Sequence, residues 1–248
     1  MTVIDNEANV ASTGAGVAAE GRLVWDWPVR LFHWGLAASI LGAFVTNRLG
    51  VKFFTYHALF GYAAIVLVIF RVAWGLFGTR HARFVNFIRG PKSVLRYLAA
   101  AGRGRKTRYA GHNPAGALMV VTLLAAVGAQ ASFGLFANDE IFNTGPLAGL
   151  VSKDVSLLLT SLHRKLFYWI AAAIAVHIGA AFYYLAIKKE NLIAAMVTGR
   201  KSARLVAPQE AIRSSRGLRA IGIFLAVSAL FALLLQFAPT PDLDVANL

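Results

Sequence analysis

HRKLFYWIAAAIAVHIGAAFYYLAIK, residues 163–188, is the stretch that decides the fold. Between Lys165 and Lys188 no residue carries a formal charge. A helix crosses a bilayer core in roughly 20 apolar residues, so this segment is long and apolar enough to span. Four further stretches share the pattern: 31–47 between Arg30 and Arg48, 53–70 between Lys52 and Arg71, 109–138 between Arg108 and Asp139, and 220–241 between Arg219 and Asp242. The first two are short, so flanking residues must complete their helices while the charged ends snorkel outward. In the third, Pro114 marks a helix start. The expected fold is all-α: an integral membrane helical bundle with a four-helix core and a fifth C-terminal transmembrane helix.

Composition agrees. Of the 248 residues 58% are hydrophobic and 15% charged, whereas soluble domains run nearer a quarter charged. The net charge of +14 does not point to nucleic acid. Its basic residues lie between apolar segments, where they act as topology signals and contacts to anionic membrane lipids. The chain has no cysteine. That excludes disulfides, thiolate zinc sites, cysteine-held iron–sulfur clusters and covalently attached haem. A metal centre must rest on histidine or carboxylate, and a haem must be non-covalent.

Loop charges orient the chain. Gly78 to Pro114 carries nine Lys/Arg and no acid, and Lys188 to Arg219 carries eight against Glu190 and Glu210. The loop 137–160 carries Asp139, Glu140 and Asp154 against Lys153. Positive loops stay inside, so the first two face the cytoplasm and the third faces out. The N-terminus is then cytoplasmic and the C-terminus periplasmic, in a bacterial cytoplasmic (inner) membrane. Residues 1–24 contain Asp5, Glu7 and Glu20 and no apolar run, which suits a flexible cytoplasmic tail and not a signal peptide. The expected organisation is therefore a tail at 1–24, a transmembrane domain at 25–200 with its basic loop at 78–114, a basic linker at 201–217, a further transmembrane helix at 218–238 and a short outer tail at 239–248. Within the basic loop, Pro91 to Ala101 places Val94, Leu95 and Leu98 on one face, as in an interfacial amphipathic helix or a solvated connector.

Six histidines occur, at 33, 57, 81, 112, 163 and 177. Ionisable groups within a membrane are rare and usually functional, although a single one also serves packing. The spacing is more telling. His163 and His177 are 14 residues apart, about 40° short of four helical turns, so both point to nearly the same side about 21 Å apart. The first helix runs outward, which puts His33 near the inner face. The second runs inward, which puts His57 near the outer face. Depth then pairs His33 with His177 and His57 with His163. Each pair is suited to clamp one haem through two imidazoles, and filling both axial positions favours electron transfer over oxygen chemistry. Gly35, Gly42, Gly61, Ala37, Ala38, Ala63 and Ala64 leave room for a macrocycle, but small residues also serve ordinary helix packing. Arg30, Arg71 and Arg164 sit where a guanidinium meets either a haem propionate or lipid headgroups. His112 precedes Asn113 and Pro114 on the inner side, as a cap, a quinone contact or a neighbour of the inner haem. His81 is expected at the surface.

Several motifs resemble those of the bacterial cytochrome b561 and nickel–iron hydrogenase cytochrome b family. They are the run from Val24 through Arg30 to His33 and Trp34, Tyr56-His57 with Gly61-Tyr62, Phe70 to Gly75, His81 to Phe84, Gly90-Pro91 with Tyr97, Gly111 to Gly116, His163-Arg164, and His177. The likeness covers residues 22–200. It implies a di-haem cytochrome b with a four-helix core and haem ligands at His33, His57, His163 and His177. It also implies electron exchange between quinone/quinol and a redox protein, such as a c-type cytochrome or a dehydrogenase or hydrogenase subunit. Two other readings compete: a stand-alone quinone-linked superoxide oxidase, and a haem-free transporter or proton pathway. The second is weakened by the scarcity of carboxylates in the spans.

Overall fold

The computed structural model describes residues 21–105 and 108–238. The tails expected before residue 21 and after residue 238 lie outside them. Among the described residues eight α-helices are formed: α1 Trp27–Arg48, α2 Phe54–Phe77, α3 Phe84–Phe87, α4 Pro91–Gly102, α5 Pro114–Leu135, α6 Lys153–Ala186, α7 Leu192–Thr198 and α8 Gly217–Gln236. Five of them (α1, α2, α5, α6 and α8) are long and apolar enough to cross a membrane. Two short strands, β1 Gly21–Leu23 and β2 Arg200–Ser202, and three short 3-10 turns accompany them. The chain divides into two compact units.

One unit combines residues 31–74, 119–179 and 218–238. Val68, Val127 and Ile170 are buried together, bringing α2, α5 and α6 into one core. A second cluster joins Ile65, Leu135, Leu147 and Phe231. Phe224 meets Phe70 edge-on at 5.8 Å, and Phe231 meets Tyr62 at 5.9 Å. The fifth span, whose role the sequence leaves open, thus packs along α2. Many large apolar side chains point outward, Trp169 and Phe237 among them. In water such a surface invites association, whereas in lipid it is the expected exterior. Hydroxyls within the spans are satisfied locally, as hydrocarbon demands: Ser39 donates to the Gly35 carbonyl at 2.8 Å and Thr46 to that of Gly42 at 2.6 Å.

The long helix differs most from expectation. It begins at Lys153, well before the charge-free window that opens at residue 166. Ser152 precedes it, with its hydroxyl facing the Val155 amide at 3.4 Å, and Asp154 in the first turn complements the helix dipole. Charges end a membrane span but do not end a helix, so α6 runs on past the apolar stretch. Its 34 residues extend about 51 Å, against a hydrocarbon core of about 30 Å.

The other unit combines residues 21–30, 75–118 and 180–217. Here β1 pairs antiparallel with β2, Arg22 opposite Lys201. Gly21–Leu23 therefore leave the expected tail. Residues 201–217 are no loose linker: Lys201, Val206 and Ile212 are buried. Lys201 donates to the Glu190 carboxylate at 2.8 Å, and the Ile212 amide donates to the Leu23 carbonyl at 2.9 Å. Gly199 makes the turn into β2 with φ +81°, and a Cβ there would fall 2.6 Å from the Trp25 carbonyl oxygen. Gly90 precedes the expected amphipathic helix, which forms over Pro91–Gly102. It buries Val94 and leaves Leu95 and Leu98 exposed.

Candidate functional site

All four predicted ligands fall within the unit built on the long helix. His33 comes from α1, His57 from α2, and His163 and His177 from α6. The structure brings them together in two pairs. The ring centres of His33 and His177 are 6.1 Å apart with planes tilted by 52°. Those of His57 and His163 are also 6.1 Å apart, tilted by 82°. The spacing has a direct chemical meaning. Two imidazole nitrogens each about 2 Å from one metal, with ring centres about 1 Å further back, put the centres roughly 6 Å apart. Rings in van der Waals contact would lie closer, and rings joined by a hydrogen bond of about 2.9 Å would have centres only about 5 Å apart.

Neighbours orient the rings. His57 Nδ1 meets the Ala43 carbonyl oxygen at 2.9 Å, and His163 Nδ1 meets that of Gln130 at 2.8 Å. An Nδ1–H donated to a carbonyl leaves Nε2 as the lone-pair nitrogen, the arrangement metal-bound histidines commonly adopt. Gly134, one turn after Gln130, faces the His163 ring: a Cβ there would lie 3.1 Å from Cε1. Gly61, one turn after His57, faces open space in which a Cβ would meet nothing. His33 Nδ1 is buried with no hydrogen-bond partner. Among the described residues no cluster of three or more metal-ligating side chains occurs. This pattern suits haem, since a porphyrin supplies four of six iron ligands and needs only two from the chain. The histidine pairs, the carbonyl acceptors and the gap at Gly61 all fit such a group.

The other predicted residues are distributed differently. Arg71, on α2, is 2% exposed, a depth at which a guanidinium requires anionic or carbonyl acceptors. Arg164 is exposed and, with Lys165, borders a hollow of about 270 Å³ whose rim also carries the carboxylates of Asp139 and Glu140. Arg30 donates to the Val197 carbonyl at 2.5 Å, which employs its head group in holding the chain near α7. His112 packs against Trp25 and Phe87, each ring centre 4.6 Å away, with planes tilted by 56° and 44°. His81 is not a surface residue as expected. It is half-buried, its Nε2 lies 2.7 Å from the Glu210 carbonyl oxygen, and Gly111 leaves room for its ring. Desolvation pushes its pKa below the ordinary histidine value despite that hydrogen bond.

Three contributors escaped sequence reasoning: Ala43, Gln130 and Gly134. A backbone carbonyl acceptor leaves no trace in residue identity. The signal that existed was Gln130, a polar residue in an apolar span with a glycine one turn on.

A family model described as prokaryotic cytochrome b561 matches residues 24–199. A protein of Cupriavidus necator named "Probable Ni/Fe-hydrogenase B-type cytochrome subunit" is 24% identical over 240 residues, covering 80% of this chain and 96% of that protein. A protein of Bradyrhizobium diazoefficiens with the same name is 28% identical over 236 residues, covering 79% of this chain and 94% of that protein.

Proposed function

Because this chain belongs to the prokaryotic cytochrome b561 family, and so is a multi-pass membrane b-type cytochrome of electron transfer, we propose that it holds two haems b, one between His33 and His177 and one between His57 and His163. The observation that supports this most is the repeated 6.1 Å separation of paired rings. Bound haem supplies one-electron chemistry at iron. The chain's own part is placement. Two imidazoles per site would hold each haem, a ligation that would favour electron transfer over oxygen binding. Carbonyls of Ala43 and Gln130 hold two of the rings by their Nδ1–H groups. Arg71 and Arg164 are the proposed propionate partners at the inner and outer sites, by the fit of guanidinium to carboxylate.

The cytochrome works between quinone/quinol and a redox protein. Its relatives carry hydrogenase in their names, so a hydrogenase subunit is the first partner to test, followed by other dehydrogenases and c-type cytochromes. His112, packed against Trp25 and Phe87, is the proposed quinone contact. The basic loops face the cytoplasm, in the inner membrane of a bacterium.

Haem per chain tests the core of this reading. Pyridine haemochrome assay of the purified protein should give two haems b, and His177→Ala should leave about one. Retention of both in the variant would break the pairing.

A further inference from the structure

The two histidine pairs are not equivalent. In the His57–His163 pair both rings meet a backbone carbonyl through Nδ1, at 2.9 and 2.8 Å. In the other pair His33 Nδ1 is buried and reaches no acceptor. Among the described residues the His177 side chain forms no hydrogen bond either. The acceptors are main-chain atoms of helices, fixed in place, so the difference belongs to the fold and not to mobile side chains.

We propose that the carbonyls of Ala43 and Gln130 act as positioning groups that make the His57–His163 site the lower-potential haem of the two. An imidazole that donates its Nδ1–H to a carbonyl becomes more basic at Nε2. A more basic axial ligand stabilises ferric over ferrous iron and lowers the reduction potential. The effect is applied twice at one site and not at the other. Gln130 holds His163 from the same face of α5 on which Gly134 clears space for that ring, so the bond is built by a four-residue device on one helix. The inference rests on the two-haem reading and on the orientation proposed above. Given both, an electron has a downhill path from the outer-facing pair to the inner-facing pair, the first being oxidised by one electron as the second is reduced.

A redox titration of the holoprotein, followed by visible absorbance and electron paramagnetic resonance, tests the assignment. The unaltered protein should titrate in two one-electron steps. Methionine is the weaker donor and raises the potential of the iron it binds. His163→Met should therefore lift the lower step and leave the upper in place, and His177→Met should lift the upper alone. If a variant sheds its haem, the surviving step gives the same answer: the upper after His163→Met, the lower after His177→Met. Gly134→Ala retains every ligand but crowds the His163 ring away from the Gln130 carbonyl, and should raise the lower step only. A single coincident step in the unaltered protein, or an upper step that responds to His163→Met or Gly134→Ala, overturns the proposal. A haem content of one per chain fails the two-haem reading itself and is recognised before any titration.

Discussion

At position 42 a glycine lets the Phe60 ring lie against α1. A Cβ there would sit 2.6 Å from that ring, closer than carbon atoms approach. Gly42→Ala must displace an aromatic side chain that helps set α1 against α2, one residue before Ala43, whose carbonyl holds His57. Overpacking of this kind costs about 1–3 kcal/mol. The expected result is a lower midpoint temperature for loss of the Soret band, with haem content at low temperature retained. The four histidines were legible in the sequence because an ionisable group in a span is conspicuous and because 14 residues is close to a whole number of turns. Ala43 was illegible, since any residue offers the same carbonyl. Lys201 misled: as one of eight basic residues in its segment it read as a topology signal, yet its ammonium is buried against Glu190.

On the scale of elements, charge-free runs located all five spans but not the ends of helices. The long helix shows why: hydrocarbon forbids charge, but the α conformation does not. The segment between α5 and α6 was read only as an outer loop. In the structure it is a tight turn built on Asp139. One carboxylate oxygen accepts the amides of Ile141, Phe142 and Asn143, and the other accepts the Asn143 side chain at 2.6 Å. Desolvation is the largest single influence and opposes ionisation, but these four donors together prevail and hold the Asp139 pKa down at about 2, below the usual 3.8. With its folded pKa depressed, the turn has its full support above about pH 4 and loses it as pH falls through about 2. Asp139→Ala removes that support at every pH, a local loss of about 1–3 kcal/mol. Limited proteolysis between residues 139 and 144 should accelerate several-fold in the variant at neutral pH, while the haem spectrum stays unchanged. Equal cleavage rates would mean that the turn is held elsewhere.

For the molecule as a whole, five spans require the two ends to lie on opposite sides. A reporter active only in the cytoplasm should work when fused to the N-terminus and fail after residue 238, and a periplasmic reporter should show the reverse. A matching signal at both ends would mean that one apolar helix does not cross. The sequence could not say what the fifth span does, because apolar residues facing lipid and apolar residues facing a neighbour look alike. Phe224 and Phe231 against α2 supply the answer.

His163 and His177 share one unbroken α6, so their separation is ruled off on a single rigid rod. No loop between them can absorb a change in count. Adding one residue between them would turn one ring by about 100° relative to the other and move it about 1.5 Å, so that only one of the two could still face its partner. The distance between the two histidine pairs is thus an arithmetic property of the chain, and substitutions can retune each end but cannot lengthen the span between them.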